Sequence, residues 1–290
     1  MEQRIINVFS SSCERILTHN EFRERRRTIK DLFLQRDYLS IFTNPILTDT
    51  YVAEYSPSRA LCYHSLFSKS SALSLVLTTA SHIFCVGSGS GGELVGITAA
   101  AAAANITNQI TIHSQDIADY SSAIIPVQTA LKSEFPQAPI TPETSVFNIL
   151  SDDPQYVQLK TEHVGNADVI TAFFILNELL ANSKKEFVQF VKLLVVGMKK
   201  GALLVVVDSA GSFSEVNVGS AKRKAKGGST ESSNSDTPTP TYMVYNLLDA
   251  IQAFEIVEKS DSQWYRYPEG LHYPIKLNNM RHFLRIYRKL

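Results

Sequence analysis

Four glycines between residues 87 and 92 could hold a cofactor with backbone atoms alone. They follow a short apolar run and precede an alanine-rich segment of helical character, in the sequence Gly87-Ser-Gly-Ser-Gly-Gly92. Without β-carbons, backbone N–H groups can approach a ligand closely, and the positive end of a helix dipole lies nearby. We therefore expect Gly87, Gly89 and Gly91 to bind a nucleotide-like cofactor.

A second chemical signal is the polar pair Asn177-Glu178, which directly follows the apolar run Val169–Leu176. At the carboxyl end of a strand in an open α/β sheet, such side chains face a bound ligand. A carboxylate partly buried beside apolar side chains can have a raised pKa and accept a proton from a substrate, while an amide can orient a carbonyl or an N–H group. The alternative is that the pair only caps the helix that follows.

The elements that must position these residues alternate between strands and helices from residue 82 onward. We predict five strands, at Ile83–Val86, Gln109–His113, near Ser145–Leu150, Asp168–Leu176 and Ala202–Asp208. Between the last two, the run Lys184–Met198 is predicted to be an amphipathic helix. This alternation indicates an α/β fold with a mostly parallel sheet that is covered on both faces.

The segment before these strands has helical periodicity. Residues 1–80 are therefore predicted to form an N-terminal helical extension of the domain at 81–290. One helix of this extension is predicted to begin with Ser56 as its N-cap and Pro57 in its first turn. A basic run from Arg23 to Lys30 could contact RNA phosphates, and the alternative is an ordinary solvated helix face.

The segment after the fifth strand changes character twice. Residues at about 219–241 contain almost nothing apolar and are predicted to be a disordered loop. A helix at Tyr242–Ala253 should follow, and then two strands, Phe254–Glu258 and His282–Tyr287. These two strands would form an antiparallel terminal hairpin.

The composition fits a soluble globular protein, with 44% hydrophobic residues and a formal net charge of zero. A neutral total neither supports nor excludes a nucleic-acid partner, because a local basic face would be sufficient. The three cysteines lie far apart without metal-ligand spacing, which indicates a reducing compartment and no metal site. No run approaches the roughly 18 apolar residues of a membrane span, and no apolar signal core follows the first residues, so we expect an intracellular protein without a membrane partner.

The glycine pattern alone does not identify the cofactor. Gly87, Gly89 and Gly92 satisfy G-x-G-x-x-G, which NAD and FAD proteins share. The polar pair and the antiparallel hairpin are instead typical of the Rossmann-like sheet of S-adenosylmethionine-dependent methyltransferases. Two alternatives remain: an oxidoreductase with a dinucleotide cofactor, although no Tyr-x-x-x-Lys pair occurs near the fifth strand, and a non-catalytic ribosome-assembly factor on the same fold.

Several segments resemble the fungal family of large-subunit (25S) rRNA uridine-N3 methyltransferases over nearly the whole chain. The most specific are Ser56-Pro-Ser-Arg-Ala60 and Asn279-Met-Arg281, and others are the glycine turn, Phe173–Leu179 and Asp261–Arg266. The resemblance implies a seven-stranded Rossmann-like sheet with an antiparallel last strand. It also implies methyl transfer from S-adenosylmethionine to N3 of a uracil in ribosomal RNA.

The resemblance gives the cofactor-side residues definite roles. In this superfamily an acidic residue usually precedes the glycine turn by two positions and binds the methionine ammonium group. Cys85 occupies that position here, so Glu93 is expected to take over the role, with capping of the next helix as the alternative. Asp116 is expected to bind the ribose diol, Asn148 to contact adenine, and Phe174 to form a wall of the pocket.

On the substrate side, N3 lies on the Watson–Crick edge of uracil, so the base must be unpaired or flipped before it reacts. Glu178 is our candidate for accepting the N3 proton, and Asn177 for a hydrogen bond to the base. Trp264 and Arg266 are candidates for stacking on RNA bases, and Arg59 for contact with RNA at the mouth of the site. The expected partner is large-subunit rRNA or a pre-ribosome, bound by a monomer in the nucleus, the nucleolus or the cytoplasm.

Overall fold

The computed structural model describes residues 1–211, 215–217 and 241–290. The predicted disordered loop at about 219–241 lies outside these residues, apart from Thr241 at its end. Within the described part, no helix combines the length and the apolar character that crossing a bilayer requires.

A seven-stranded sheet runs through the centre of the fold. In chain order the strands are β1 (His82–Val86), β2 (Ile110–Asp116), β3 (Ile140–Val146), β4 (Val169–Phe173), β5 (Leu203–Ser209), β6 (Glu215–Asn217), β7 (Thr241–Met243), β8 (Phe254–Tyr265) and β9 (Met280–Lys289). The sheet has the order β3-β2-β1-β4-β5-β9-β8, and β6 pairs only with β7. Strands β1 to β5 are parallel, whereas β9 is antiparallel to both β5 and β8. The predicted fold is thereby confirmed.

Helices cover both faces of this sheet. They are α1 (Glu2–Ser12), α2 (Glu14–Leu17), α3 (Phe22–Gln35), α4 (Tyr38–Phe42), α5 (Pro45–Lys69), α6 (Ser71–Leu77), α7 (Gly92–Ala103), α8 (Ser121–Glu134), α9 (Pro154–Asn166), α10 (Leu176–Asn182), α11 (Lys184–Gly197) and α12 (Val244–Asp249). Alternate residues of one strand face opposite layers, since Ile83 and Cys85 join the core beneath α5 and α7, whereas Phe84 and Val86 join the core beneath α9 and α11.

Several predicted strand boundaries were wrong by three residues or more, including the end of β2, which lies at Asp116 and not at His113, and the end of β8, which lies at Tyr265 and not at Glu258. The third strand lies at Ile140–Val146 and not near Ser145–Leu150, because it is an edge strand with mostly exposed side chains and no apolar run. The apolar residues Phe147, Ile149 and Leu150 come after the strand and are buried in the core beneath α9 and α11. The fourth strand ends at Phe173, and the apolar residues up to Leu176 enter helix α10.

The prediction that a helix begins at Ser56 was also wrong, because α5 begins eleven residues earlier, at Pro45. The side chain of Asn44 caps its amino end, accepting from the N–H groups of Ile46 and Leu47 at 3.0 and 3.4 Å. Pro57 therefore lies inside the helix and cannot donate to the carbonyl oxygen of Ala53. The hydroxyl of Tyr273 donates to that oxygen instead, at 2.6 Å, so the carbonyl orphaned by the proline has a partner.

Candidate active site

The glycine turn between β1 and α7 has a backbone that few other residues could adopt. Gly87 and Gly91 have φ angles of +68° and +77°, in the left-handed region that glycine adopts without strain. A β-carbon on Gly87 would lie 2.6 Å from Cγ1 of Ile175, and one on Gly89 would overlap the ring of Tyr120. The turn therefore requires glycine at these positions, because Ile175 and Tyr120 pack directly against its backbone at the carboxyl end of β1.

Hydrogen bonds from neighbouring elements fix this turn. The N–H of Gly89 donates to Asp116 at 2.9 Å, and the N–H of Ala118 donates to the same carboxylate at 3.0 Å. Ser56, from α5, donates to the carbonyl oxygen of Ser90 at 3.0 Å. Burial raises the pKa of Asp116, and the backbone N–H groups oppose that shift. Asp116 thus has a structural role in the turn that its sequence position did not indicate, in addition to the predicted contact with ribose.

A cleft opens beside the turn, at the carboxyl ends of β1, β2 and β4. It brings together six of the predicted site residues, namely Arg59, Gly87, Asp116, Asn148, Phe174 and Glu178. It is also lined by residues that were not predicted, including Phe42, Tyr51, Gln115, Tyr120 and Asn182. Gln115 and Asn148 lie at the side of β2 and β3, where Gln115 donates to the carbonyl oxygen of Phe147 at 2.5 Å and Asn148 accepts from the N–H of Leu150 at 2.9 Å.

The two residues of the polar pair that follows β4, Asn177 and Glu178, have side chains in different environments. Asn177 turns to the end of β5, where its backbone N–H donates to the buried Asp208 at 3.3 Å and its side chain also bonds to that carboxylate. Glu178 is half-buried and lines the cleft. Burial and, after it, the nearby Asp116 and Asp208 together raise the pKa of Glu178 to about 8, and Arg59 opposes the shift. Neither residue is the N-cap of α10, which is Ile175.

Phe174 marks a strained point between β4 and this pair. Its φ angle is +56°, which is rare for a bulky side chain. Its N–H donates to the carbonyl oxygen of Val207 at 2.7 Å, so the neighbouring strand holds the strained backbone in place. The ring stands 4.9 Å from Cζ of Arg59. Backbone strain of this kind concentrates at functional sites.

Arg59 reaches the cleft from α5. Its guanidinium donates to the hydroxyl of Tyr51 and also lies 5.3 Å from the centre of that ring. Within the described residues it forms no ion pair, although Glu93 is close enough to help raise its pKa. It is therefore a cation packed between aromatic rings and bordered by carboxylates at longer range.

Glu93 is buried in the first turn of α7, with 3% of its surface exposed, and does not line the cleft. Burial raises its pKa to about 7, while the Ser88 hydroxyl and Arg59 oppose the shift. Among the described residues its Oε1 has no hydrogen-bond partner. Cys85, where an acidic residue was expected, is fully buried, and burial raises its thiol pKa. Glu93 is thus the carboxyl group nearest in sequence to the turn, behind the glycines.

These groups give the cleft an excess of acid. Asp116 and Glu178 line the cleft and Asp208 lies nearby at the end of β5, whereas Arg59 is the one cation among the described lining residues; burial raises the pKa of each carboxyl group. Such an arrangement favours a cationic ligand, because bringing a positive charge close would stabilise the ionised carboxylates. S-adenosylmethionine carries a sulfonium and an ammonium group. The negative charge of the cleft therefore suits this cofactor.

The two predicted RNA contacts in the hairpin lie elsewhere. Trp264 is 57% exposed, and Cζ of Arg266 lies 5.6 Å from its ring centre. Both line a groove with Lys69, Ser70 and Glu258, which shares no lining residue with the cleft. The structure thus does not bring Trp264 and Arg266 together with Glu178.

The sheet order and the cleft define an α/β protein in which a glycine turn and a half-buried carboxyl group, that of Glu178, lie at the same edge of the sheet. A family model described as "Putative SAM-dependent methyltransferase" matches residues 9–288. The chain belongs to this family of S-adenosylmethionine-dependent methyltransferases, and the alternative of a dinucleotide-dependent oxidoreductase is set aside.

One relative and two solved structures illustrate the similarity. The 25S rRNA (uridine(2843)-N(3))-methyltransferase of Saccharomyces cerevisiae is 28% identical over 297 residues, which cover 92% of this chain and 78% of the yeast protein. A SAM-dependent methyltransferase from Methanosarcina mazei is 17% identical, over 72% of this chain and 92% of that one, with a TM-score of 0.42. An O-methyltransferase family protein from Burkholderia thailandensis is 11% identical, over 84% and 60%, with a TM-score of 0.47.

Proposed function

We propose that this protein transfers the methyl group of S-adenosylmethionine to N3 of a uracil in large-subunit ribosomal RNA. The observation that carries the proposal is the carboxyl group of Glu178, which lies in the same cleft as the glycine turn and has a pKa raised to about 8. The substrate class is that of the yeast relative, whose similarity extends over 92% of this chain.

The cofactor is held by the residues around the turn. The backbone of Gly87, Gly89 and Gly91 would lie close to the methionine and ribose parts of the cofactor. The carboxylate of Asp116 would accept hydrogen bonds from the ribose diol. Asn148 borders the adenine end, and Glu93 provides negative charge behind the turn. The bound cofactor supplies an electrophilic sulfonium methyl group, and the protein supplies position and electrostatics.

Proton transfer from uracil N3 is the task of Glu178. The protonated N3 is a poor nucleophile, so a base must take its proton as the nitrogen reacts. Asp116 and Asp208 make the Glu178 carboxylate a better base by raising its pKa, and Arg59 keeps it partly ionised near neutral pH. Asn177 positions Glu178 by tying the start of α10 to Asp208 at the end of β5. The protein acts as a monomer on rRNA or a pre-ribosome, in the nucleus, the nucleolus or the cytoplasm.

The test is mass-spectrometric nucleoside analysis of large-subunit rRNA from cells with and without the protein. We expect 3-methyluridine, and no other modified nucleoside, to decrease when the protein is absent. Glu178→Gln should reproduce that loss at unchanged protein level, whereas Glu162→Gln, an exposed carboxylate on α9, should not. An undiminished 3-methyluridine level without the protein would refute the proposed substrate, and an unchanged level with Glu178→Gln would refute the role of Glu178.

A further inference from the structure

Helix α3 carries a row of cations on one flank. Arg23, Arg27 and Lys30 are spaced by four and three residues, so their side chains project from the same side of the helix. All three are exposed, and none forms an ion pair in the part of the chain that the structure describes. The neighbouring Arg25 and Arg26 differ, because they pair with Glu21 and Glu54 at 2.7 and 2.6 Å. The three unpaired cations, which we call the α3 flank, extend over roughly 10 Å of helix.

The carboxyl end of α3 leads into a chamber beside the cleft. The helix stops at Arg36, whose φ angle of +58° turns the chain into α4. Tyr38 and Leu39 then form one side of a chamber of about 500 Å³. The chamber and the cleft share four lining residues, namely Phe42, Ile117, Glu178 and Asn182. The two spaces are therefore adjacent, and Glu178 lines both.

The chamber offers the contacts that an unpaired pyrimidine requires. Tyr38 and Phe42 present aromatic rings, on which any base can stack. Tyr38 and Glu178 both line the chamber. Burial raises the pKa of Tyr38, and the negative charge of Glu178 adds to that shift. Asn182 and Glu178 supply amide and carboxyl groups for the polar edge of a base. Leu39, with 67% of its surface exposed, borders the opening.

We propose that single-stranded RNA lies along helix α3 with its phosphates on Arg23, Arg27 and Lys30, and that the nucleotide to be methylated enters the chamber and stacks on Tyr38 beside Glu178. This inference rests on the proposed function and adds to it the path of the RNA. Charge complementarity favours RNA as the occupant, because the three unpaired cations of the α3 flank outnumber the exposed carboxylates beside them, Glu24 and Asp31, and the helix leads to an aromatic chamber. The RNA would reach the cleft at Glu178, which lines both the chamber and the cleft.

The path is tested by the salt dependence of RNA binding. The probe is a fluorescein-labelled oligomer of 20 uridylates, titrated with the full chain between 50 and 200 mM salt. Removing three phosphate contacts should lower the slope of log affinity against log salt by about 2, since each contact on a single strand contributes about 0.7. We expect this decrease for the triple variant Arg23→Ala, Arg27→Ala, Lys30→Ala. The matched control, Lys185→Ala, Lys192→Ala, Lys200→Ala, removes three exposed lysines on and after α11, in the opposite layer, and should keep the wild-type slope. Equal slopes for the wild type and the α3 variant would overturn the path.

The chamber is tested with two substitutions of Tyr38. Tyr38→Ala should raise the KM for rRNA roughly 5- to 100-fold, because a stacking contact is lost, and Tyr38→Phe should restore most of it. Binding of S-adenosylhomocysteine, measured by calorimetry, should not change in either variant. A normal KM for Tyr38→Ala, or an equal loss of cofactor binding, would overturn the assignment of the chamber. Failure of the proposed function is distinguishable, because the wild type would then form no 3-methyluridine at all, while the salt slopes would still decide the path.

Discussion

One acidic residue lies near each end of strand β4: Asp168 directly before it and Glu178 after it, in α10. The pKa values of the two carboxyl groups are shifted in opposite directions. At the amino end, Asp168 accepts from the N–H groups of Ser81 and His82 at 2.8 and 3.0 Å and from Lys199 at 3.0 Å. Burial alone would raise its pKa, but these donors lower it. At the carboxyl end, burial and the acidic neighbours Asp116 and Asp208 raise the pKa of Glu178 to about 8. The contacts of Asp168 at the amino end stabilise the fold. At the carboxyl end, ionisation of Glu178 is unfavourable, and a bound cation would make it more favourable.

The same contrast separates two arginines, the buried Arg285 and the half-buried Arg59. Arg285, in the terminal hairpin, is 2% exposed, bonds to Asp249 at 3.1 Å and Asp261 at 2.5 Å, and stands 4.0 Å from the ring of Tyr245. Arg59 in the cleft has aromatic neighbours and a tyrosine hydroxyl but no ion pair among the described residues. A fully compensated buried charge supports the fold, and an incompletely compensated one is available to a substrate.

The largest expected effect is on the hairpin. Arg285→Ala should lower the free energy of unfolding by about 3–5 kcal/mol, because it leaves Asp249 without its buried partner. The control Arg288→Ala removes an exposed cation paired with Glu255 at 2.9 Å and should cost less than about 1 kcal/mol. Urea unfolding monitored by circular dichroism measures both. Similar losses for the two variants would remove the distinction between the compensated arginine and an ordinary surface pair.

The two ends of β4 should differ in how stability depends on pH. Glu178 has a folded pKa of about 8, against 4.5 in the unfolded chain, so between these values the folded protein keeps a proton that the unfolded chain releases. Its contribution is complete below pH 4.5 and is lost as the pH rises to 8, at about 1.4 kcal/mol for each unit between the two pKa values. Asp168 has a lowered folded pKa, so its contribution is present above pH 3.8 and is lost at more acidic pH.

Glu178→Gln should therefore flatten the decline of the free energy of unfolding between pH 5 and 8. Asp168→Asn should instead lower the free energy of unfolding by an amount that does not change with pH over that range. Thermal melts at four pH values would provide the comparison. A decline that remains as steep in Glu178→Gln as in the wild type would mean that the strained electrostatics lie elsewhere.

Much of this organisation is visible in the sequence, but the contrast between the ends is not. Apolar runs and glycine spacing predicted the sheet, and Glu178 stood out because it follows a long apolar strand. Tyr51, on α5, and Tyr120, directly before α8, were missed, since the sequence around an aromatic residue looks the same whether its ring faces a core or a cleft. The role of Pro57 was misjudged because the carbonyl oxygen of Ala53, which Pro57 leaves without a helical donor, bonds to Tyr273, 220 residues further along the chain. Contacts of that range cannot be read from local spacing.

Near the carboxyl end of β4, substitutions of Arg59 should change the pH profile of methylation more than the free energy of unfolding. Since Arg59 lowers the pKa of Glu178, Arg59→Met should move the midpoint of the methylation pH profile upward, and Arg59→Lys should retain the wild-type midpoint. We expect the free energy of unfolding to change by about 1 kcal/mol or less, because no buried ion pair is broken. Single-turnover methylation of rRNA between pH 6 and 9 measures the midpoint. A midpoint that does not move in Arg59→Met would separate Arg59 from Glu178.

The glycine turn offers a sharper steric version of the comparison. Gly89→Ala places a β-carbon against Tyr120 and 2.8 Å from Cβ of Asp116, so the turn must shift, at a cost of about 1–3 kcal/mol. Gly165→Ala, in α9, meets only ordinary contact at 3.8 Å and should instead stabilise the protein by about 0.5–1 kcal/mol. Chemical denaturation compares the two. If Gly89→Ala were as stable as the wild type, the turn would be less constrained than its contacts indicate.

The smallest effect concerns the strain at Phe174, between β4 and the polar pair. Phe174→Ala and Phe174→Gly remove the same ring, but only glycine adopts a φ angle of +56° without strain. The glycine variant should therefore be more stable than the alanine variant by about 1 kcal/mol. The reverse order is expected for Val188→Ala and Val188→Gly on the exposed side of α11, because glycine costs about 1 kcal/mol relative to alanine inside a helix. Finding alanine more stable at both positions would show that the backbone after β4 stores no strain, and the carboxyl end would then differ from the amino end in charge alone.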